Sequence, residues 1–220
     1  MLGRHENKLI HTDVALVGAG IMSATLAVLL KELQPDIDIQ IFEALEDAAQ
    51  ESSSAWNNAG TGHAALCELN YTPEKNGGVE ISKALEINTE FDLSRQFWSY
   101  LVKRGSIKNP QQFLHSVPHM SFVRGAENVE FLKKRFDALS AHHCYSGMEF
   151  SSAHSKIAGW APLIMEGRNP NEKIAATYMV SGTDVDYGAL TQLLLKCFRR
   201  KDGSVHFSSR VQHIHRDRDS

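Results

Sequence analysis

Two stretches early in the chain carry residues whose types and spacing can do chemistry. The first is Gly18-Ala19-Gly20-Ile21-Met22-Ser23, completed by Glu43. Gly18 permits a tight turn at the end of a strand. Gly20 removes the side chain that would hold the backbone away from a pyrophosphate, so amide groups at the following helix N-terminus can face phosphate oxygens. Ser23 stands where a GxGxxG pattern has its third glycine; it is small enough for helix and strand to pack, though less closely. Glu43 follows about 20 residues on, where a carboxylate accepts hydrogen bonds from an adenosine ribose. Taken alone it would be a solvated strand end.

The second stretch runs Glu51-Ser-Ser-Ser-Ala-Trp56-Asn57-Asn58-Ala-Gly60-Thr61-Gly62-His63. Its glycines, asparagines and hydroxyls favour turns over a packed element. Such a loop offers the donors and acceptors that a flavin ring and its ribityl chain need. An idle surface loop has the same composition. His63 is the only acid–base candidate beside it, and a structural or hydrogen-bonding role suits it equally, so no catalytic base is assigned.

The elements that position these residues read as a βαβ unit. Val14, Leu16 and Val17 form an apolar run ending in glycine, as a buried parallel strand does. Ile21 to Leu33 is apolar on nearly every side, which predicts a helix covered by other structure. Gln34-Pro35-Asp36 breaks it, and Ile37, Ile39 and Ile41 alternate in a second strand ending at Glu43. Further on, the spacing predicts a long amphipathic helix over 81–102, a strand over 117–123, a helix over 127–139 and a strand over 174–180. Asp186 can cap a helix carrying Leu190, Leu193, Leu194, Cys197 and Phe198. Val205 and Phe207 begin another strand, on one face of which His213 and His215 would lie.

Composition bounds the rest. A formal net charge of −3 over 220 residues argues against a nucleic-acid partner. Arg199-Arg200-Lys201 is better explained by complementing a helix C-terminus. Cys67, Cys144 and Cys197 are widely spaced with no CxxC, which supports neither a disulfide framework nor zinc. His142-His143-Cys144 lacks a companion pair at zinc spacing, so no metal is expected. Arg95 suits a solvated or ion-paired surface position better than substrate binding. No apolar run approaches the ~20 residues needed to span a bilayer. The expected location is cytoplasmic, with a peripheral contact on the inner face of the cell membrane left open.

The chain resembles the N-terminal portion of the malate:quinone oxidoreductase family, which is FAD-dependent. The residues carrying the resemblance are the Gly18–Thr25 segment, Ser54-Ala-Trp-Asn-Asn-Ala-Gly-Thr-Gly-His63, Ala65–Pro73, Ser94-Arg-Gln-Phe-Trp98, Val117–Val123, Trp160-Ala-Pro-Leu-Ile-Met-Glu-Gly-Arg168 and Gly182-Thr-Asp-Val-Asp186. The resemblance implies an α/β, Rossmann-like FAD-binding fold, incomplete at the C-terminus, with substrate-domain segments inserted within residues 75–180. It implies oxidation of (S)-malate to oxaloacetate with a membrane quinone as acceptor. It assigns the ADP part of FAD to Gly18, Gly20, Ile21, Met22 and Glu43, and the flavin side to Asn57, Asn58, Thr61, Gly62 and His63. A related flavoprotein oxidase of another hydroxy or amino acid, and an inactive fragment, are the alternatives. The 220-residue chain by itself is expected not to turn over malate.

Overall fold

The computed structural model describes residues 9, 11–62 and 64–216. In chain order its elements are β1 (Val14–Val17), α1 (Ile21–Leu33), β2 (Ile39–Phe42), β3 (Glu74–Lys75), β4 (Gly78–Val79), α2 (Ser82–Lys103), β5 (Leu114–Ser116), β6 (His119–Arg124), α3 (Ala126–Ser140), β7 (Glu149–Ser151), α4 (His154–Trp160), α5 (Pro162–Met165), β8 (Ile174–Met179), β9 (Thr183–Val185), α6 (Tyr187–Arg199) and β10 (Ser204–His206). They divide into two units. One takes the segment ending at Gly60, Ser106–Phe113 and the segment from Asp186 onward; the other takes Thr61–Gly105 and Leu114–Val185.

The first unit holds a parallel sheet in the order β1-β2-β10. Val14 to Val17 pair with Ile39 to Phe42, and Ser204 to His206 pair with Gln40 to Phe42. Ile39 and Ile41, on the central strand, are fully buried. The second strand begins at Ile39 rather than Ile37, because the Ile37 amide closes a turn onto the Gln34 carbonyl and the Asp38 amide donates to the Asp13 carboxylate. Helix α1 packs against α6. Its buried residues are Ala24, Ala27, Val28 and Lys31, the last reaching the Pro35 carbonyl with its ammonium group. The all-round cover expected for α1 is not found among the described residues: Met22 is 81% and Leu33 75% exposed, and Leu26 and Leu29 also face outward.

Asp186 caps α6 as expected, its side chain accepting the Ala189 amide at 2.8 Å. Lys196 and Arg199 occupy the last turn, where cations suit the carbonyl end of the helix. Beyond His206 the chain leaves the sheet. Ser208 turns with φ of 51°, and the amides of Ser208 and Ser209 donate to the carbonyls of Leu45 and Glu43. Residues 207–216 therefore form no strand, and the shared strand face expected for His213 and His215 does not exist.

The second unit is built on an antiparallel sheet in the order β6-β8-β7, against which α3 packs. The strand expected over 117–123 is β6, which begins at His119 just after Pro118, a residue with no N–H to donate; it pairs with β8, while β5, before it, pairs with β9. One apolar cluster joins Leu139, Tyr145, Met148, Met179, Ala65, Leu66 and Ala84, with the Tyr145 hydroxyl donating to the Ala84 carbonyl at 3.1 Å. Within this unit Arg135 of α3 is fully buried. Its guanidinium donates to Thr72 Oγ1 at 3.0 Å and to the carbonyls of Ala65, Leu66 and Glu68 at 3.1–3.4 Å, fixing the segment that follows Gly62. Arg95, on α2, makes a surface pair with Asp92.

Candidate functional site

Gly18, Gly20, Ile21, Met22 and Glu43 come together around a cleft of about 250 Å3 in the first unit. β1 delivers the chain to Gly18, whose φ of 89° is a conformation open to glycine and costly for other residues. Gly20 has extended backbone and precedes the first turn of α1. Three N–H groups of that turn have no intrahelical acceptor, because the ladder starts with the Ala24 amide on the Gly20 carbonyl. The Ile21 amide donates to Ser53 Oγ at 3.0 Å. Those of Met22 and Ser23 have no partner among the described residues. No acidic side chain occupies this turn. The cleft thus presents free amides and the positive end of a helix dipole, the chemistry of an anion cradle.

Glu43, at the end of β2, closes the other side. Its Oε2 accepts the Ala19 amide at 2.6 Å and its Oε1 accepts the Leu45 amide at 2.9 Å. Each oxygen keeps a further lone pair for a hydroxyl donor such as a ribose presents. Ser53 is the residue that motif reading missed. It is buried, caps Ile21, and its Oγ lies 3.2 Å from where a Cβ on Gly20 would sit. Gly20 therefore gives room to Ser53 as well as to any ligand. The only signal was a run of three serines in a turn-rich loop.

Asn57 and Asn58 do not line that cleft. Their side-chain amides donate to the carbonyls of Glu51 and Ser52, both at 3.1 Å, and Asn58 Oδ1 accepts the Gly60 amide. They fold the 51–60 loop onto itself. Thr61 and Gly62 belong to the second unit and are held by β9: Thr61 bridges to Asp184, and the Gly62 amide donates to the Thr183 carbonyl at 2.9 Å. Any side chain at Gly62 would collide with Thr183 and Phe91. His63 lies outside the described residues. Next along the chain, the Ala64 carbonyl accepts from buried Asn88, and Cys67 lies beside His119. Burial, reinforced by the neighbouring Glu68 charge, pushes the Cys67 thiol up to about 11.

A parallel sheet whose first strand runs through a glycine turn into an open helix N-terminus, with an acid closing the second strand, defines the dinucleotide-binding α/β class. Among solved structures, L-alpha-glycerophosphate oxidase from Mycoplasma pneumoniae, with FAD bound, superposes with a TM-score of 0.66 at 16% identity, over 96% of this chain and 48% of that one. The malate:quinone oxidoreductase (Mqo) family model matches residues 10–220, and the chain belongs to that family. A probable malate:quinone oxidoreductase of Bradyrhizobium diazoefficiens is 62% identical over 208 residues, covering 94% of this chain and 41% of that protein. One from Rhodopseudomonas palustris is 60% identical over 210 residues, covering 94% of this chain and 42% of that protein. The chain thus spans about two-fifths of the length of these relatives.

Proposed function

We propose that this chain binds FAD and forms the cofactor-holding N-terminal portion of an enzyme that oxidises (S)-malate to oxaloacetate with a membrane quinone as acceptor. The observation that carries the proposal is the family match across residues 10–220. The unpartnered amides of Met22 and Ser23 beside Glu43 support it chemically. In this reading Gly18, Gly20, Ile21 and Met22 receive the pyrophosphate, and Glu43 accepts the ribose hydroxyls. Asn57, Asn58, Thr61, Gly62 and His63 serve the flavin side. When bound, FAD would supply a two-electron acceptor for hydride from the malate carbinol carbon, with quinone taking the electrons afterwards. The contribution of the chain is to hold the phosphates on backbone amides and to fix the loop that follows.

No helix among the described residues is long and apolar enough to cross a membrane. We place the protein in the cytoplasm with a peripheral contact on the inner membrane face, where it would meet quinone. The test is to purify the chain, record its visible spectrum before and after denaturation, and identify any nucleotide released. Released FAD supports cofactor binding; failure to take up FAD under any loading condition rejects it. Malate-dependent quinone reduction by a full-length family member, lost on replacing the glycine at the position of Gly20, tests the reaction.

A further inference from the structure

The Thr183 carbonyl accepts two hydrogen bonds. One comes from the Gly62 amide at 2.9 Å, the other from His119 Nε2 at 3.0 Å. A carbonyl has no proton to give, so Nε2 carries the hydrogen. The lone pair of Nδ1 then faces Cys67 Sγ at 3.8 Å, where the thiol, kept protonated by burial, can donate. Both ring nitrogens are thereby engaged, and the ring is 9% exposed. It lies close to Gly182, where any side chain would collide with it. His119 thus touches the two strands of chain that determine where Thr61 and Gly62 lie.

We propose that His119 is a positioning residue for the flavin-side loop: by fixing the Thr183 carbonyl, it fixes the acceptor of the Gly62 amide and so the register of Thr61-Gly62 against β9. This deepens the proposed function and rests on it for the word flavin, but the linkage itself belongs to the chain. With both nitrogens committed, His119 is not available as a proton acceptor for substrate. Its part is to hold a backbone carbonyl in one orientation.

Amide hydrogen exchange of the 220-residue chain, read by residue-resolved NMR or fragment mass spectrometry, tests this without any cofactor. His119→Gln keeps a nitrogen donor at the Nε2 position, whereas His119→Asn places its donor at the Nδ1 position, short of Thr183. The Gly62 amide should exchange about tenfold faster in His119→Asn than in the parent, with His119→Gln close to the parent, while amides of β8 change little in either. Equal protection of Gly62 in all three chains overturns the proposal. So does a loss spread evenly over β8, which would make His119 a general packing residue. The same variants loaded with FAD should show a shifted and less structured flavin absorption band only for His119→Asn. If no chain takes up FAD, the flavin reading fails while the exchange data still decide the linkage.

Discussion

Glu43 Oε2 accepts the Ala19 amide at 2.6 Å, so the acid that ends β2 holds the glycine turn that ends β1. With Oε1 on the Leu45 amide, one carboxylate ties two loops across adjacent parallel strands. Its role is structural before any ribose arrives.

Replacing Glu43 by Gln keeps the shape but turns one acceptor into a donor that faces a backbone N–H. Losing a charge-assisted bond costs roughly 1–2 kcal/mol. The apo chain should lose about that much stability, and FAD affinity should fall by about tenfold. Chemical denaturation and calorimetric titration measure the two effects separately. Weaker FAD binding at unchanged stability would show that the Ala19 contact contributes nothing to the turn, and an unchanged affinity would return Glu43 to a strand-end role.

Gly18 and Gly20 should respond to substitution in different ways. Gly18 has φ of 89° and open space where a Cβ would go, so Gly18→Ala is penalised by backbone conformation alone, at about 1–2 kcal/mol. Gly20 has ordinary backbone, but a Cβ would press on Ser53 Oγ at 3.2 Å. Gly20→Ala should be tolerated with a small shift of Ser53. Gly20→Val should displace Ser53 from the Ile21 amide and abolish FAD uptake. Unaltered FAD binding by Gly20→Val would move the pyrophosphate away from this turn.

The sequence made the βαβ unit readable because its signals are local: an apolar run, a glycine turn, a helix of the right length and an acid at a set distance. The Asp186 cap and the two amphipathic helices were readable for the same reason. The β3–β4 hairpin left its signal in Asn76-Gly77, both at positive φ, a pair that favours a two-residue turn and went unused. Other features had no local signature. Ser53 reaches Ile21 across 32 positions, and His119 reaches Thr183 across 64, so neither could be found by spacing. Arg135 has no local signature within α3; only tertiary packing turns it into a buried donor to four oxygens.

Cys67 gives a pH-dependence with a definite sign. Burial, then the Glu68 charge, raises its thiol from 9.0 to about 11. The folded chain therefore holds this proton at a pH where the unfolded chain has lost it. The stabilisation is fully present below about pH 9 and is lost as pH rises towards 11. Thermal midpoints between pH 8 and 11 should fall less steeply in Cys67→Ser than in the parent. Alkylation of Cys67 by iodoacetamide, followed by site-resolved mass spectrometry, should stay slow through pH 9 in the folded chain. Rapid labelling at pH 8 would contradict the raised thiol pKa.

Arg135 should be the least replaceable side chain of the second unit. It is fully buried, and removing it strands the carbonyls of Ala65, Leu66 and Glu68 and the Thr72 hydroxyl. Leaving a buried polar group without its partner costs about 1–3 kcal/mol, so stranding several at once takes a large share of the ~5–15 that stabilises a domain. Lysine cannot rescue it, because one ammonium group cannot span four acceptors that a planar guanidinium reaches from two nitrogens, Nε and Nη2. Arg135→Met and Arg135→Lys should therefore both lower the denaturation midpoint markedly. A second readout separates lost charge from lost packing. The positive charge of Arg135 holds the Cys67 thiol lower than burial alone would, so Arg135→Met should push Cys67 ionisation still higher, while Arg135→Lys should leave it nearer the parent. Fragment-resolved alkylation of Cys67 across pH, in denaturant-free buffer, measures this. A midpoint within experimental error of the parent for Arg135→Met would show that the four oxygens find other donors, and that Arg135 does not anchor the segment after Gly62.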